Sequence, residues 1–275
     1  ILHAHTTSFF TAVCIKLLIP KLTIIWHNHT GANIFIKGFK LYFIQFCSFF
    51  FSTTINVNSS LLNWANSKLF NSRNQILKNF ASLSNTSKVT NLKGNHKKIV
   101  CLAALRSEKN HLNLLSAFKI IFEKTKDVSL HLVGTNYEND YSNSIQKYII
   151  DNSLEKNVFI YGNCKDVDYI LSQASIGVLS SNTEGLPISL LEYGMKSLPV
   201  VVTNVGDCSS LVKNYVTGII VPKENEVLFA NAILYLLSEN DVAKALGENL
   251  NNLTLKNYGV DKYIVQLIRI YQGVL

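Results

Sequence analysis

The sequence predicts an α/β protein of doubly wound parallel sheets. Short β-branched runs alternate with helix-like stretches along most of the chain, turn residues bound the runs, and 275 residues leave room for one large domain or two smaller ones. Repeated strand-helix-strand order implies parallel strands joined by right-handed crossovers and covered on both faces.

Composition narrows the class. Apolar residues make up 48% of the chain and charged residues 16%, which excludes a disordered chain. The net charge of +8 fits an anionic partner, but no basic run is interleaved with aromatics, so nucleic acid is not expected as a partner. Five cysteines without a Cys-x-x-Cys pair argue against a disulfide framework or a zinc site and for a reducing, cytoplasmic compartment, with the inner face of a membrane as one place within it. Cys101, inside Ile99-Val-Cys-Leu-Ala103, reads as a small buried hydrophobe.

The elements follow in order. The chain opens inside an apolar stretch, without Met or a charged leader, so the first domain is expected to be incomplete at its start. Strands are predicted at 22–27, 54–57, 98–103, 129–133, 158–161, 176–179, 199–203 and 218–221, and helices at 112–124, 142–150, 167–173, 188–196 and 226–238. A final helix is predicted at 260–271. The apolar stretch 35–57 is broken by Lys37, Lys40 and Gln45 before it reaches the roughly 18–20 residues of a membrane span, so it reads as a helix that is buried or lies on a surface. The polar stretch 82–96 is the candidate linker, dividing residues 1–95 from residues 96–259.

The densest chemistry lies in Ser180-Ser-Asn-Thr-Glu-Gly-Leu-Pro-Ile-Ser-Leu-Leu-Glu192. It leaves a strand, turns at Gly185 and enters a helix beside Pro187, at the carboxyl end of a parallel strand where ligands of open α/β sheets gather. A diphosphate needs backbone N–H groups and a helix start, and sugar hydroxyls need carboxylates. Glu184 and Glu192, eight residues apart, suit opposite ends of one elongated ligand. Taken singly, each is as well explained as a solvated acid; taken with Val200-Val-Val-Thr-Asn-Val-Gly206, the ligand reading prevails. Arg106 and Lys109, at the start of a helix that a lone cation would avoid, suit a bound anion.

Glu184-Gly-Leu-Pro187 with Glu192, Gly206 after a strand, and Thr217-Gly-Ile-Ile-Val-Pro222 resemble family 4 of the retaining glycosyltransferases, the glycosyl transferases group 1 family. The resemblance runs over the whole chain and is most specific in its second half. It implies GT-B architecture, two Rossmann-like domains facing a cleft: an acceptor-side domain at 1–95, incomplete at its start and joined by a C-terminal helix at 260–275, and a nucleotide-sugar donor-binding domain at 96–259. It implies that Glu184 contacts the transferred sugar, that Glu192 holds the ribose hydroxyls, and that the backbone of Gly185 and Leu186 approaches the sugar and diphosphate. With Pro187, Gly206 and Gly134 these form the donor-binding set; Glu184, Lys109, Arg106 and His27 form the catalytic set. His27 resembles the family's strand-end histidine, with His5 lining the same cleft and His29 a weaker candidate.

Two departures from the pattern stand out. Ala103-Ala104 replaces a frequent Gly-Arg, which favours Lys109 over Arg106, and Ala174-Ser175 replaces a common Asp. Asp166-Val-Asp168 has the spacing of metal-binding carboxylates but sits at a helix start, where capping explains it, so no metal or cofactor is assigned.

The implied reaction moves a sugar from a nucleoside-diphosphate sugar to a glycan or lipid-linked acceptor with retention. Two alternatives stay open. One is an inactive nucleotide-binding fragment. The other, an epimerase on the nucleotide sugar, is disfavoured because residues 1–95 contain neither Asp nor Glu. The aromatic, basic stretch 35–51 suits a membrane surface or, equally, a helix covering the first sheet.

Overall fold

The computed structural model describes residues 1–71, 73–80, 82–83, 88–94 and 97–275. The chain divides into two compact units, residues 1–80 with 260–275, and residues 81–259.

The first unit is built on a parallel sheet in the order β1-β2-β3-β4, with β1 Leu2–His5, β2 Ile24–Asn28, β3 Phe51–Asn56 and β4 Asn74–Ile76. Helices α1 (Phe9–Leu18), α2 (Phe39–Ser48) and α3 (Ser59–Lys68) connect the strands. One face of the sheet packs Trp26, Ile24 and Phe51 with Phe9, Ile44, Cys47 and Trp64 from the connecting segments. A smaller cluster joins Ile25, Ile55 and Leu77 to Ile270 of the last helix, α11 (Val260–Gln272). The stretch 35–57, read as a helix with a strand at 54–57 at its end, is α2 followed by β3, which begins three residues earlier than predicted. Ser48, fully buried, closes α2 by donating to the Gln45 carbonyl and accepting the Phe70 N–H, and the β-branched run after it pairs with β2.

The second unit holds six parallel strands in the order β10-β9-β8-β5-β6-β7: β5 Lys97–Leu102, β6 Val128–Val133, β7 Val158–Gly162, β8 Ile176–Leu179, β9 Val200–Thr203 and β10 Ile219–Val221. Strand order reverses beside β5, which pairs with both β6 and β8. Every residue of β6, β8 and β9 is buried, which explains their continuous apolar runs. Helices α4 (His111–Lys124), α5 (Asp140–Asp151) and α9 (Glu226–Ser238) enclose one core, while α6 (Val167–Ser172), α7 (Ile188–Met195), α8 (Cys208–Leu211) and α10 (Asn240–Tyr258) enclose the other.

The predicted division at 95/96 moves to 80/81, because the polar stretch is not a free linker. Thr90 and Val89 donate their backbone N–H groups to Asp166 at 2.7 and 2.9 Å, Leu92 donates to Gln173 at 3.0 Å, and Lys93 donates to the Tyr161 hydroxyl at 2.9 Å. Leu92 itself is buried in the second unit's core. Residues 84–87, 95 and 96 of that stretch, His96 at the predicted domain start included, lie outside the described residues.

Candidate functional site

Because every strand of the second unit is parallel, all its loops after the strands emerge on one edge, and three of them meet there. The loop after β8 is tied to the loop after β5: Ser180 donates its hydroxyl to the Lys109 carbonyl at 3.0 Å, Asn182 donates its N–H to the Glu108 carbonyl at 2.8 Å, and Asn110 donates from Nδ2 to Asn182 Oδ1 at 3.0 Å. The loop after β9 joins through Thr203, which donates to the Ser181 carbonyl at 2.6 Å, and through Asp207, whose N–H donates to the Gly185 carbonyl at 3.0 Å.

Two glycines make this closeness possible. A Cβ on Gly206, which has a φ of +52°, would sit 2.0 Å from the Glu184 carbonyl oxygen. A Cβ on Gly134, just past β6, would sit 2.2 Å from the Ala103 carbonyl oxygen. Any larger residue would push apart the loops that the hydrogen bonds hold together.

Within this frame Lys109 Nζ lies 2.6 Å from Glu184 Oε1, and the Ser181 hydroxyl donates to the same oxygen at 2.6 Å. The Glu184 side chain is only 6% exposed and that of Lys109 26%, so the pair is largely shielded from solvent and worth more than a surface ion pair. Lys109 ends a short 3₁₀ turn, Ser107–Lys109. Asn110 follows in the left-handed conformation and caps α4 by accepting the Asn113 N–H, so α4 starts one residue earlier than predicted and Lys109 lies just outside it.

Arg106 has a different partner. Its guanidinium hydrogen-bonds the Tyr137 hydroxyl and lies 4.8 Å from that ring's centroid, fixing it between the loops after β5 and β6. Leu186 is buried, and Pro187 is the N-cap of α7 rather than a residue of its first turn. Glu192 lies in the second turn of α7, half-buried. Burial pushes its carboxyl above the ordinary range, and it has no hydrogen bond or ion pair among the described residues.

The predicted site residues of the second unit are thus brought to one edge. His27 is a residue of the first unit, on β2, where it is fully buried beside His29. Burial, and then the neighbouring His29, His3 and His5, hold its imidazole down to about 2; His3 and His29 are held at about 4 by burial first.

The carboxylates of Asp166 and Asp168 both have protein partners. Asp166 accepts from Val89 and Thr90, and Asp168 pairs with Lys196 at 2.6 Å. The capping expectation is also corrected: the Asp166 side chain makes no cap hydrogen bond, because the segment at 89–90 engages it.

Sequence reasoning passed over Ser181, Asn182 and Tyr193. Tyr193, next to Glu192 and fully buried, accepts the Leu102 N–H at 2.7 Å, and its hydroxyl reaches the Val100 and Val178 carbonyls at 3.2 Å. It ties β5 to β8 under the loop edge. Its one signal was a polar aromatic among apolar neighbours in α7.

Two units, each on an all-parallel sheet, are the doubly wound α/β class to which GT-B proteins belong. The chain belongs to the glycosyl transferases group 1 family, whose model matches residues 84–252. It is 26% identical over 187 residues to the UDP-Gal:alpha-D-GlcNAc-diphosphoundecaprenol alpha-1,3-galactosyltransferase of Escherichia coli, a match covering 67% of this chain and 47% of that protein. It is 25% identical over 177 residues to the poly(glycerol-phosphate) alpha-glucosyltransferase of Bacillus subtilis (strain 168), covering 64% of this chain and 26% of that protein. The chain therefore spans about half the length, or less, of these curated relatives. Among solved structures, Anabaena Alr3699/HepE in complex with UDP and glucose superposes with a TM-score of 0.86 at 16% identity, covering 98% of this chain and 78% of that one; this likeness is one of fold.

Proposed function

We propose that the protein moves a hexose from a nucleoside-diphosphate sugar, with uridine diphosphate the first nucleotide to test, to a glycan or lipid-linked acceptor in surface polysaccharide or glycolipid synthesis, with retention at the anomeric carbon. The observation that carries this reading is the 2.6 Å pairing of Lys109 with the shielded Glu184 where three loops converge. Such a pair offers a cation to a diphosphate and a carboxylate to a sugar hydroxyl in one place. Charge grows on the diphosphate as the glycosidic bond breaks, so fixed cations and backbone amides lower the barrier. In this reading Lys109, Arg106 and the amides near Gly185, Leu186 and Gly206 meet the leaving group, while Glu184 orients the sugar. Glu192, half-buried and without a partner among the described residues, takes the ribose hydroxyls, and Gly134 and Pro187 shape the loops around the donor. His27 contacts donor or acceptor. No side chain is assigned as a nucleophile, and no metal or cofactor is assigned to the donor site.

The experiment is thermal shift with UDP and other nucleoside diphosphates on the wild type, Glu192→Ala and Lys109→Ala. The shift on adding ligand, rather than the starting Tm, should shrink in both variants by an amount matching at least a tenfold weaker Kd. Equal ligand-induced shifts in all three proteins would overturn the assignment. Ligand stabilisation without sugar transfer to any acceptor would favour a nucleotide-binding, non-catalytic protein.

A membrane surface is the proposed setting. Phe39, Tyr42, Phe46 and Phe49 are all exposed along α2 and its end at spacings of three and four, an apolar stripe beside Lys40. No helix among the described residues is long and apolar enough to cross a membrane.

A further inference from the structure

Outside the donor loops, the largest gathering of metal-ligating side chains is a group of histidines in the first unit. Its origin is geometric. His3 and His5 are two apart on β1, so they share one face of the sheet. The parallel register sets His5 directly beside His27 and His3 beside Ile25, which puts His27 on that same face, and His29, two residues further on, stacks against it with ring centroids 3.9 Å apart. Two His-x-His segments on neighbouring strands therefore stack four imidazoles together, with centroid separations for His3, His5 and His27 of 4.5 to 5.3 Å.

We propose that His3, His5 and His27 bind a divalent transition-metal ion, with zinc as the first candidate. One ring nitrogen from each of the three lies within 4.8 Å of the others. His27 is fully buried, and neither of its ring nitrogens has a hydrogen-bond partner; His3 Nε2 is likewise buried and unpartnered. Such orphaned nitrogens are costly unless something ligates them. Two of the three rings are also held as metal-bound imidazoles usually are, by an outer partner on the other nitrogen: His3 Nδ1 lies 2.7 Å from the Tyr271 hydroxyl, and His5 Nδ1 lies 2.9 Å from His29 Nε2.

The donor set is all nitrogen, and the first 95 residues contain no Asp or Glu, so the site selects borderline ions over calcium or magnesium. Tetrahedral zinc with Zn–N near 2.05 Å sets its nitrogens about 3.4 Å apart, so nitrogens as far as 4.8 Å apart need to close by up to about 1.4 Å. His5 is exposed and can supply that movement. Three histidines leave a fourth position for water or another oxygen ligand.

The test uses the untagged chain, stripped with chelator and dialysed, then titrated with cobalt(II) while the visible d–d absorption is followed, and with zinc by calorimetry. One equivalent is expected to bind, with the intense absorption of a tetrahedral nitrogen site. His5→Gln and His27→Gln should each weaken binding at least tenfold, with folding checked by circular dichroism. If His27→Gln does not fold, the exposed His5 is the deciding position. Absence of saturable binding in the wild type, or His5→Gln binding as tightly as wild type, would overturn the proposal. Neither result depends on sugar transfer, so the donor-site reading stands or falls separately.

Discussion

His111 and His131 are fully buried in the second unit, and burial holds each imidazole down to about 4. Lys109 adds to the effect at His111, where the nearby Ala103 backbone opposes it, and Lys98 adds to it at His131. Around them stand Tyr141 beside His111, and Ser129 and Tyr161 beside His131, with no carboxylate in hydrogen-bond contact among the described residues. In the unfolded chain both would titrate near 6.5, so the unfolded state takes up protons first as the pH falls. Their contribution is therefore fully present above about pH 6.5 and is lost between there and about 4, each favouring unfolding by up to roughly tenfold per pH unit. Urea midpoints should fall steadily from pH 7 to 4.5, with a shallower slope for His131→Gln; midpoints flat across that range would contradict the neutral buried imidazoles. Residues at this scale were unevenly legible. Glu184, Gly185 and Glu192 stood out because one loop and one helix carry their spacing. Asn182 did not, because what distinguishes it is its partners in the loop after β5, some seventy positions away, and Ser181 did not, because a serine three residues before Glu184 carries no pattern of its own.

Among the elements, the segment at 88–93 and helix α6 form the most testable joint. The Asp166 carboxylate, on a residue only 5% exposed, takes the Val89 and Thr90 N–H groups and the Thr90 hydroxyl. Asp166→Ala leaves those donors without it and should cost about 1–3 kcal/mol, seen as a lower urea midpoint with an unchanged slope. A loss below about 0.5 kcal/mol would mean that water replaces the carboxylate readily. The strands of the second unit were legible because burial on both faces writes itself as unbroken Val, Ile and Leu. Helix α3 was not: Ser, Asn and Lys dilute its apolar face, and it is started by Asn58, whose side chain accepts the Leu61 N–H at 2.8 Å. Helix α10 was missed for a similar reason, since its many Asn residues mask a buried row of Ala243, Leu246, Leu250 and Tyr258 at helical spacing. The three-residue β4 is too short to show any pattern.

At the scale of the whole molecule, the +8 charge and the aromatic stripe on α2 act together, one drawing the protein toward an anionic surface and the other giving it something to insert. Flotation with anionic liposomes at low salt should carry the chain upward, and a Phe39→Ser, Phe46→Ser double variant should float several-fold less. No flotation of the wild type at low salt would end the membrane reading. The chain's division was legible in kind, since a polar stretch does separate two sheets, but its position was not, because hydrogen bonds to Asp166, Gln173 and Tyr161 draw that stretch into the second unit.

The first unit is interrupted: α11 belongs to it but follows the entire second unit in chain order. A ribosome thus finishes one body, residues 81–259, while the other still lacks the helix that covers Ile25, Ile55 and Leu77. The earlier-made half must wait, greasy and half-dressed, for its lagging piece, so a stop codon placed anywhere after Gly259 and before Ile270 would spare the second body and leave the first prone to aggregate.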